Sequence, residues 1–371
     1  RRITLEVQGE AVVDRRLAWG RVVFAKAYPV KDGVVAWEES IDLREYIGSY
    51  QEEQIYQDTG LSQYNRSRYF TGNPVKRLVW QCPPGNWQIF IFLECIVQSF
   101  KYFGYYIDVL NPKAIEYFLT TTYQRYLDQL GSELFREIEA VFVDEISVGG
   151  ALTGMGIPWS PCLPEYFEKL NGYKLVDHLP ALVADVPGGA QVRYDFRKTL
   201  LSAFINSFER PVQDWCARHG IKYAGEKPIL RSTQLEYMDI PGIDAGHLKV
   251  GAEVPLGTLN YRSNPKLVSS AAHFLHKPEV LCEAFHSIGW DMTIQDMKWI
   301  TDWLAVQGIN LIVPHGFFYT TDGLTKHDAP PSSFWQNPYW EHYDQLAQYT
   351  SHLCARLSGG YAPAKILVLD P

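Results

Sequence analysis

Short apolar runs alternate with amphipathic stretches along most of this chain. Arg21–Tyr28 (RVVFAKAY), Ala140–Glu145 (AVFVDE), Ile221–Gly225 (IKYAG), Glu279–Phe285 (EVLCEAF) and Asn310–Phe317 (NLIVPHGF) are rich in β-formers and bounded by polar or Gly/Pro residues, so they predict strands. Tyr105–Val109 predicts another. Helical periodicity fills the intervals. Asn111-Pro112 opens a helix, Asn as N-cap and Pro as first helical residue, which runs to about Leu130 and stops at Gly131. Two helices are expected within 162–184. A longer one spans Ala190 to His219, closed by Gly220. Pro265–His276, Ile294–Val306 and Pro338–Leu357 complete the set. Residues 231–262 show no clear element and must hold any further strand. Lys76–Val97 is different: two β-rich runs flank Pro-Pro-Gly-Asn, which predicts a hairpin.

Strands that alternate with helices predict a parallel sheet. A dinucleotide fold would need a Gly-rich turn after its first strand, and Pro-Val-Lys-Asp-Gly follows Tyr28 instead. No P-loop is present. The expected fold is therefore α/β, a (β/α)8 TIM barrel over residues 1–371 with a β-rich insertion at about 31–100. Lys365–Asp370 reads as the start of a further domain at 364–371.

The charge balance narrows the partners. The net charge is −8 and Lys and Arg form no cluster, which argues against nucleic acid. The longest apolar run, Ile89–Val97, carries Glu94 and is too short to span a bilayer. The six cysteines contain no CxxC pair, so zinc-ribbon and thioredoxin chemistry drop out. Aromatic residues reach 14%, which suits a carbohydrate partner, since sugar faces stack on flat rings; a large core also uses them. Localisation and oligomeric state are not legible.

A barrel carries its chemistry at the C-terminal ends of its strands. AVFVDE delivers Asp144 and Glu145 there; adjacent residues point to opposite sides, so one faces the cavity and the other the wall. EVLCEAF delivers Glu283. Glycoside cleavage needs two carboxyl groups across the anomeric carbon. Glu145 and Glu283 are the expected catalytic pair. Glu226, after IKYAG, is a third candidate, as a second base or a hydroxyl partner. A carboxylate past a strand can equally be a helix cap or half of an ion pair. NLIVPHGFFYT brings His315, Phe317 and Tyr319 to the same rim; His315 would bind a sugar hydroxyl or tune a carboxylate, or sit satisfied in the core. Trp290 and Trp335 are the better candidates for stacking, whereas Trp299 and Trp303, four apart on a helix, suit packing. No cofactor is required by these residues. Histidine spacing implies no zinc site, and calcium is open, with loop carboxylates as ligands.

Several stretches in order resemble glycoside hydrolase family 106 and related bacterial barrel hydrolases. They are YYIDVLNPKAIEYFLTTTYQRY, VFVDEIS, MDIPGID, VLCEAFHSIGW, KWITDWLAVQGINLIVPHGFFYT and DAPPSSFWQNPYW, within residues 105–371. The resemblance implies α-L-rhamnosidase activity, with Glu145 as general acid and Glu283 as base or nucleophile, an inverting mechanism and a calcium requirement. Ile146 stands where the family has Pro, and Ala224-Gly225 replace an expected Gly-His pair. Alternatives are another exo-glycosidase on the same fold, such as a galactosidase, a non-catalytic glycan-binding barrel, and a metal-dependent barrel hydrolase.

Overall fold

The computed structural model describes residues 1–51, 53–57, 67–71, 74–97, 104–144, 146, 148, 156–226, 235–246, 265–360 and 363–366. The chain divides into two compact units, Arg1–Ala114 with Val148–Phe204, and Ile115–Ser147 with Ile205–Pro371.

The first unit is β-rich and antiparallel. Its strands are β1 (Arg2–Gln8), β2 (Val12–Arg16), β3 (Arg21–Lys31), β4 (Val34–Val35), β5 (Ile41–Asp42), β6 (Ile47–Tyr50), β7 (Glu53–Gln57), β8 (Ser67–Thr71), β9 (Val75–Gln81) and β10 (Asn86–Glu94). One sheet runs β1-β10-β3-β4 with β5 on β3, a second runs β2-β9-β6, and β7 pairs with β8. The two expected strands of Lys76–Val97 are β9 and β10, but they do not form a hairpin. β9 joins β2 and β6, while β10 joins β1 and β3. Each strand has an apolar face, and these faces stack. Leu78 and Trp80 of β9 share one buried core with Ala25, Ala27, Ile89 and Ile91. Face-to-face packing removes that surface from water, which edge pairing would leave half exposed. Arg21–Tyr28 also departs from expectation: it lies in antiparallel β3, not in a strand–helix alternation. Tyr105–Val109 joins no ladder among the described residues. Helices Leu163–Asn171 and Gly189–Phe204 and the 3-10 stretch Leu175–Leu182 belong to this unit.

The second unit holds a parallel sheet of β11 (Ala140–Val143), β12 (Lys222–Glu226), β13 (Ile240–Gly246), β14 (Leu281–Ala284) and β15 (Leu311–Pro314), in that spatial order. Sequential parallel order, with helices in the β11–β12, β13–β14 and β14–β15 connections, is the arrangement of a curled half-barrel. β13 supplies the strand sought within 231–262. Ala224, Ile240 and Leu281 form the buried centre of the sheet, flanked by Ala140, Leu311 and Val313.

Helix boundaries follow local chemistry. Asn111 caps as expected, its Oδ1 accepting from Lys113 N at 3.1 Å. The helix it opens breaks at Thr122, between Pro112–Thr121 and Tyr123–Phe135. The hydroxyls of Thr120, Thr121 and Thr122 all donate to carbonyls four residues back, a pattern that bends helices. Gly131 turns left-handed at φ +73°, and one more turn buries Phe135 against Trp215. The expected Ala190–His219 helix is split by a π turn at Ile205–Glu209 before Arg210–His219. Pro211 lacks an N–H and crowds the carbonyl of Ser207, which explains the widened turn. Gly220 closes the helix at φ +72°. Pro265–Phe274, Ile294–Val306 and Tyr343–Leu357 match the remaining expectations, with Trp340–His342 a separate 3-10 turn. Lys365–Asp370 falls largely outside the described residues. No helix among the described residues is long and apolar enough to cross a membrane.

Candidate active site

Five successive strands each bring an ionisable side chain to the C-terminal edge of the parallel sheet. Asp144 follows β11, Glu226 ends β12, Asp244 lies near the end of β13, Glu283 is in β14 and His315 follows β15. The register sets them level: Val143 pairs with Gly225, Asp244 with Glu283, and Ala284 with Pro314. Close strand approach requires glycine. A Cβ on Gly225 would lie 2.4 Å from the Val143 carbonyl oxygen, and one on Gly242 would lie 2.5 Å from the Gly225 carbonyl oxygen.

Carboxylate oxygens of Asp144, Glu226 and Glu283 lie within 4.8 Å of one another. Glu226 is 2% exposed, and its Oε2 has no hydrogen-bond partner among the described residues. Burial, then the charges of Glu283, Asp244 and Asp144, push the Glu226 carboxyl far above its ordinary range. Burial and Asp144 also raise Glu283, while His286 and a hydrogen bond with Glu226 act the other way. With Glu226 buried against Glu283, these two carboxyls share a proton, Glu226 the principal holder and donor to Glu283.

Two histidines adjoin the carboxylates. His286 Nε2 donates to Asp244 Oδ1, and its Nδ1 lies 3.0 Å from Ser287 Oγ. Phe285 and Ser287 have positive φ, at 80° and 59°, so the chain turns sharply as it leaves β14 and brings His286 back to the sheet edge. His315 Nε2 is 3.9 Å from Glu283 Oε1, and its ring lies edge-on to His286 at 5.3 Å. Burial first, then His286, lowers the His315 pKa, so its ring is neutral near pH 7 and can accept or donate a hydrogen bond.

Of the residues singled out from the sequence, Asp144, Glu226, Glu283 and His315 converge. Glu145 lies outside the described residues. Trp290 donates from Nε1 to the Lys326 carbonyl at 2.8 Å. Trp290, Trp335 and Tyr319 are exposed, and no hydrogen bond or ring contact among the described residues ties them to the carboxyl cluster. Phe317 packs edge-on with Phe334, Trp340 and Tyr343. Asp244 and His286 are additions that sequence reasoning missed. Asp244 ends a run of apolar character, IPGI, in a region left unassigned, and His286 stands three residues past Glu283.

Comparison with known proteins places the chain in a family. A family described as alpha-L-rhamnosidase, glycoside hydrolase family 106, matches residues 73–326. A protein of Formosa agariphila, provisionally named as a beta-glucuronidase, is 25% identical over 306 residues, covering 78% of this chain and 25% of its own length. The structure of a rhamnosidase from Novosphingobium sp. PP1Y superposes with a TM-score of 0.58 at 20% identity, over 88% of this chain and 30% of that one. The chain thus spans about a quarter to a third of the length of these relatives. With the family match covering more than half of its residues, the chain belongs to the α-L-rhamnosidase family, glycoside hydrolase family 106.

Proposed function

We propose that this chain carries the catalytic centre of a glycoside hydrolase acting on α-L-rhamnosides, on a complete (β/α)8 barrel of which β11–β15 form an arc. The observation that carries the reading is the convergence of Asp144, Glu226, Glu283 and His315, with Asp244 beside them, at one end of a parallel sheet. A carboxyl buried as Glu226 is, beside two others, is costly to fold and is kept where chemistry needs it.

In this reading Glu145, next to Asp144, protonates the leaving oxygen. Glu283 removes a proton from the attacking water; its raised pKa makes it a stronger base poised near neutrality. Glu226 and Glu283 are too close to flank a sugar ring and a water between them, since an inverting pair stands roughly 6.5–9.5 Å apart. That leaves Glu226 to hold a proton, a hydroxyl or a cation. Calcium fits beside that base: Asp144 and Glu226 offer hard oxygens, and Glu226 Oε2 is buried with no hydrogen-bond partner among the described residues. Bound there, the ion would polarise vicinal sugar hydroxyls and neutralise the acidic cluster. His315 and the His286–Asp244 pair supply fixed hydrogen-bonding groups for the same hydroxyls.

A neutral deoxy sugar suits this edge better than a uronate, whose carboxylate would meet four acidic side chains. The experiment is a panel of aryl glycosides with calcium present, comparing α-L-rhamnoside, β-D-glucuronide and β-D-galactoside. Cleavage of the rhamnoside, reduced about 10²–10⁴-fold in Glu145→Gln, supports the reading. Cleavage of the glucuronide or galactoside alone overturns the substrate. Saccharide binding without any cleavage favours a glycan-binding barrel.

A further inference from the structure

The β-rich unit contains a cavity of about 570 Å³ that the catalytic reading does not use. It lies at the start of β3 and the end of β10, and its lining includes Trp19, Arg21, Lys76, Glu94, Asp108 and Trp159. A volume of this size is typical of small-molecule sites, which run roughly 300–1,000 Å³.

Its polar groups are fixed in place. Arg21 clamps Glu94 with two hydrogen bonds of 3.1 and 2.9 Å, and Trp159 Nε1 donates to the same carboxylate at 2.8 Å. Asp108 Oδ2 accepts from Ser160 Oγ at 2.7 Å. Lys76 donates to the Gly20 carbonyl, and Cys95 Sγ donates to the Trp19 carbonyl at 3.0 Å. Gly20 allows the chain to pass this close: a Cβ there would sit 2.4 Å from the Glu94 carbonyl oxygen. The loop that presents Trp19 is thus tied to the end of β10 at several points. The Trp19 side chain itself is 68% exposed, a large apolar surface held in water at a cavity wall.

The chemistry of this lining selects its ligand. Two cations, Arg21 and Lys76, balance two acids, Glu94 and Asp108, so the cavity attracts neither anions nor cations strongly. Two indole rings offer flat apolar faces. Planar charged groups that are already paired present edges to vicinal hydroxyls without a desolvated lone charge. Flat apolar faces beside rigid polar edges match a neutral sugar.

We propose that this cavity is a second saccharide site, which binds neutral oligosaccharide without cleaving it. The proposal stands apart from the catalytic reading, because it rests on residues of the other unit.

Fluorine NMR of 5-fluorotryptophan-labelled protein tests it, with cellobiose, a neutral disaccharide that carries no rhamnose, as probe. Trp19→Phe and Trp159→Phe assign the two resonances. The expected result is a saturable shift of the Trp19 and Trp159 signals in the wild-type protein and equally in Glu283→Gln. Arg21→Ala abolishes it, with an unchanged melting temperature and unchanged aryl-glycosidase activity. No shift up to the solubility limit of the sugar overturns the proposal. So does a shift that persists undiminished in Arg21→Ala, or one that is lost in Glu283→Gln. Failure of aryl-glycoside cleavage would sink the catalytic reading alone and leave these shifts in place.

Discussion

Glu226→Gln isolates the electrostatic load that the carboxyl cluster places on the fold. Glu226 is 2% exposed, and burial with three neighbouring carboxylates drives its pKa from 4.5 up to about 10. A group whose folded pKa is raised contributes stability that is full below its unfolded value and is lost as pH rises toward the folded value. Each pH step above 4.5 costs about 1.4 kcal/mol, so at pH 7 the penalty is about 3 kcal/mol in protein stripped of calcium. Gln keeps the shape and a donor to Glu283 but has no proton to lose. In EDTA at pH 7 the variant should therefore melt higher than wild type, on the order of 5 °C. At pH 4.5 the two should coincide. Calcium should raise the wild-type melting temperature at pH 7 and raise that of Glu226→Gln less, since cation and proton compete for one site. Scanning fluorimetry from pH 4.5 to 8, with EDTA or calcium, reads all of this. A wild-type melting temperature in EDTA that does not fall with pH would refute the reasoning, as would a Glu226→Gln variant less stable than wild type at pH 7.

Three further outcomes follow from particular contacts. Tyr223→Phe removes the buried 2.7 Å hydrogen bond to Glu209 Oε2 and should lower stability by about 1–3 kcal/mol in urea titration. Thr293→Ala breaks a complete capping box with Asp296 and should cost about 1 kcal/mol, with no change in KM for an aryl rhamnoside. Asp244→Asn loosens His286 and should lower kcat roughly 10–100-fold while the melting temperature stays near that of wild type, read by steady-state kinetics and scanning fluorimetry.

The parallel strands were legible because each is a short apolar run, and their ends named three of the four acids by position alone. β13 was not. Its sequence, IPGIDAG, contains Pro and two glycines and lacks a β-branched run, so tertiary pairing between β12 and β14 makes it a strand. Asp244 was hidden with it. His286 was hidden for another reason: it reaches the site through a turn of positive φ at Phe285 and Ser287, which propensity does not foresee. The Pro-Pro-Gly-Asn link was misread because turn chemistry fixes where a chain reverses, not which edges then pair. Trp80 and Ile89 carry the information that decides it, as facing halves of one core. The cavity beside Trp19 had no linear signature, since its lining comes from six separate stretches of chain.

Most direct for the central claim is kcat/KM on an aryl α-L-rhamnoside for wild type and Glu283→Gln, with calcium present and both proteins shown folded by their melting curves. The account predicts measurable cleavage by wild type and a loss of about 10²–10⁴-fold in the variant. An active wild type whose Glu283→Gln variant keeps near-full kcat/KM would contradict it, because the carboxyl cluster would then be structural and the chemistry would lie elsewhere.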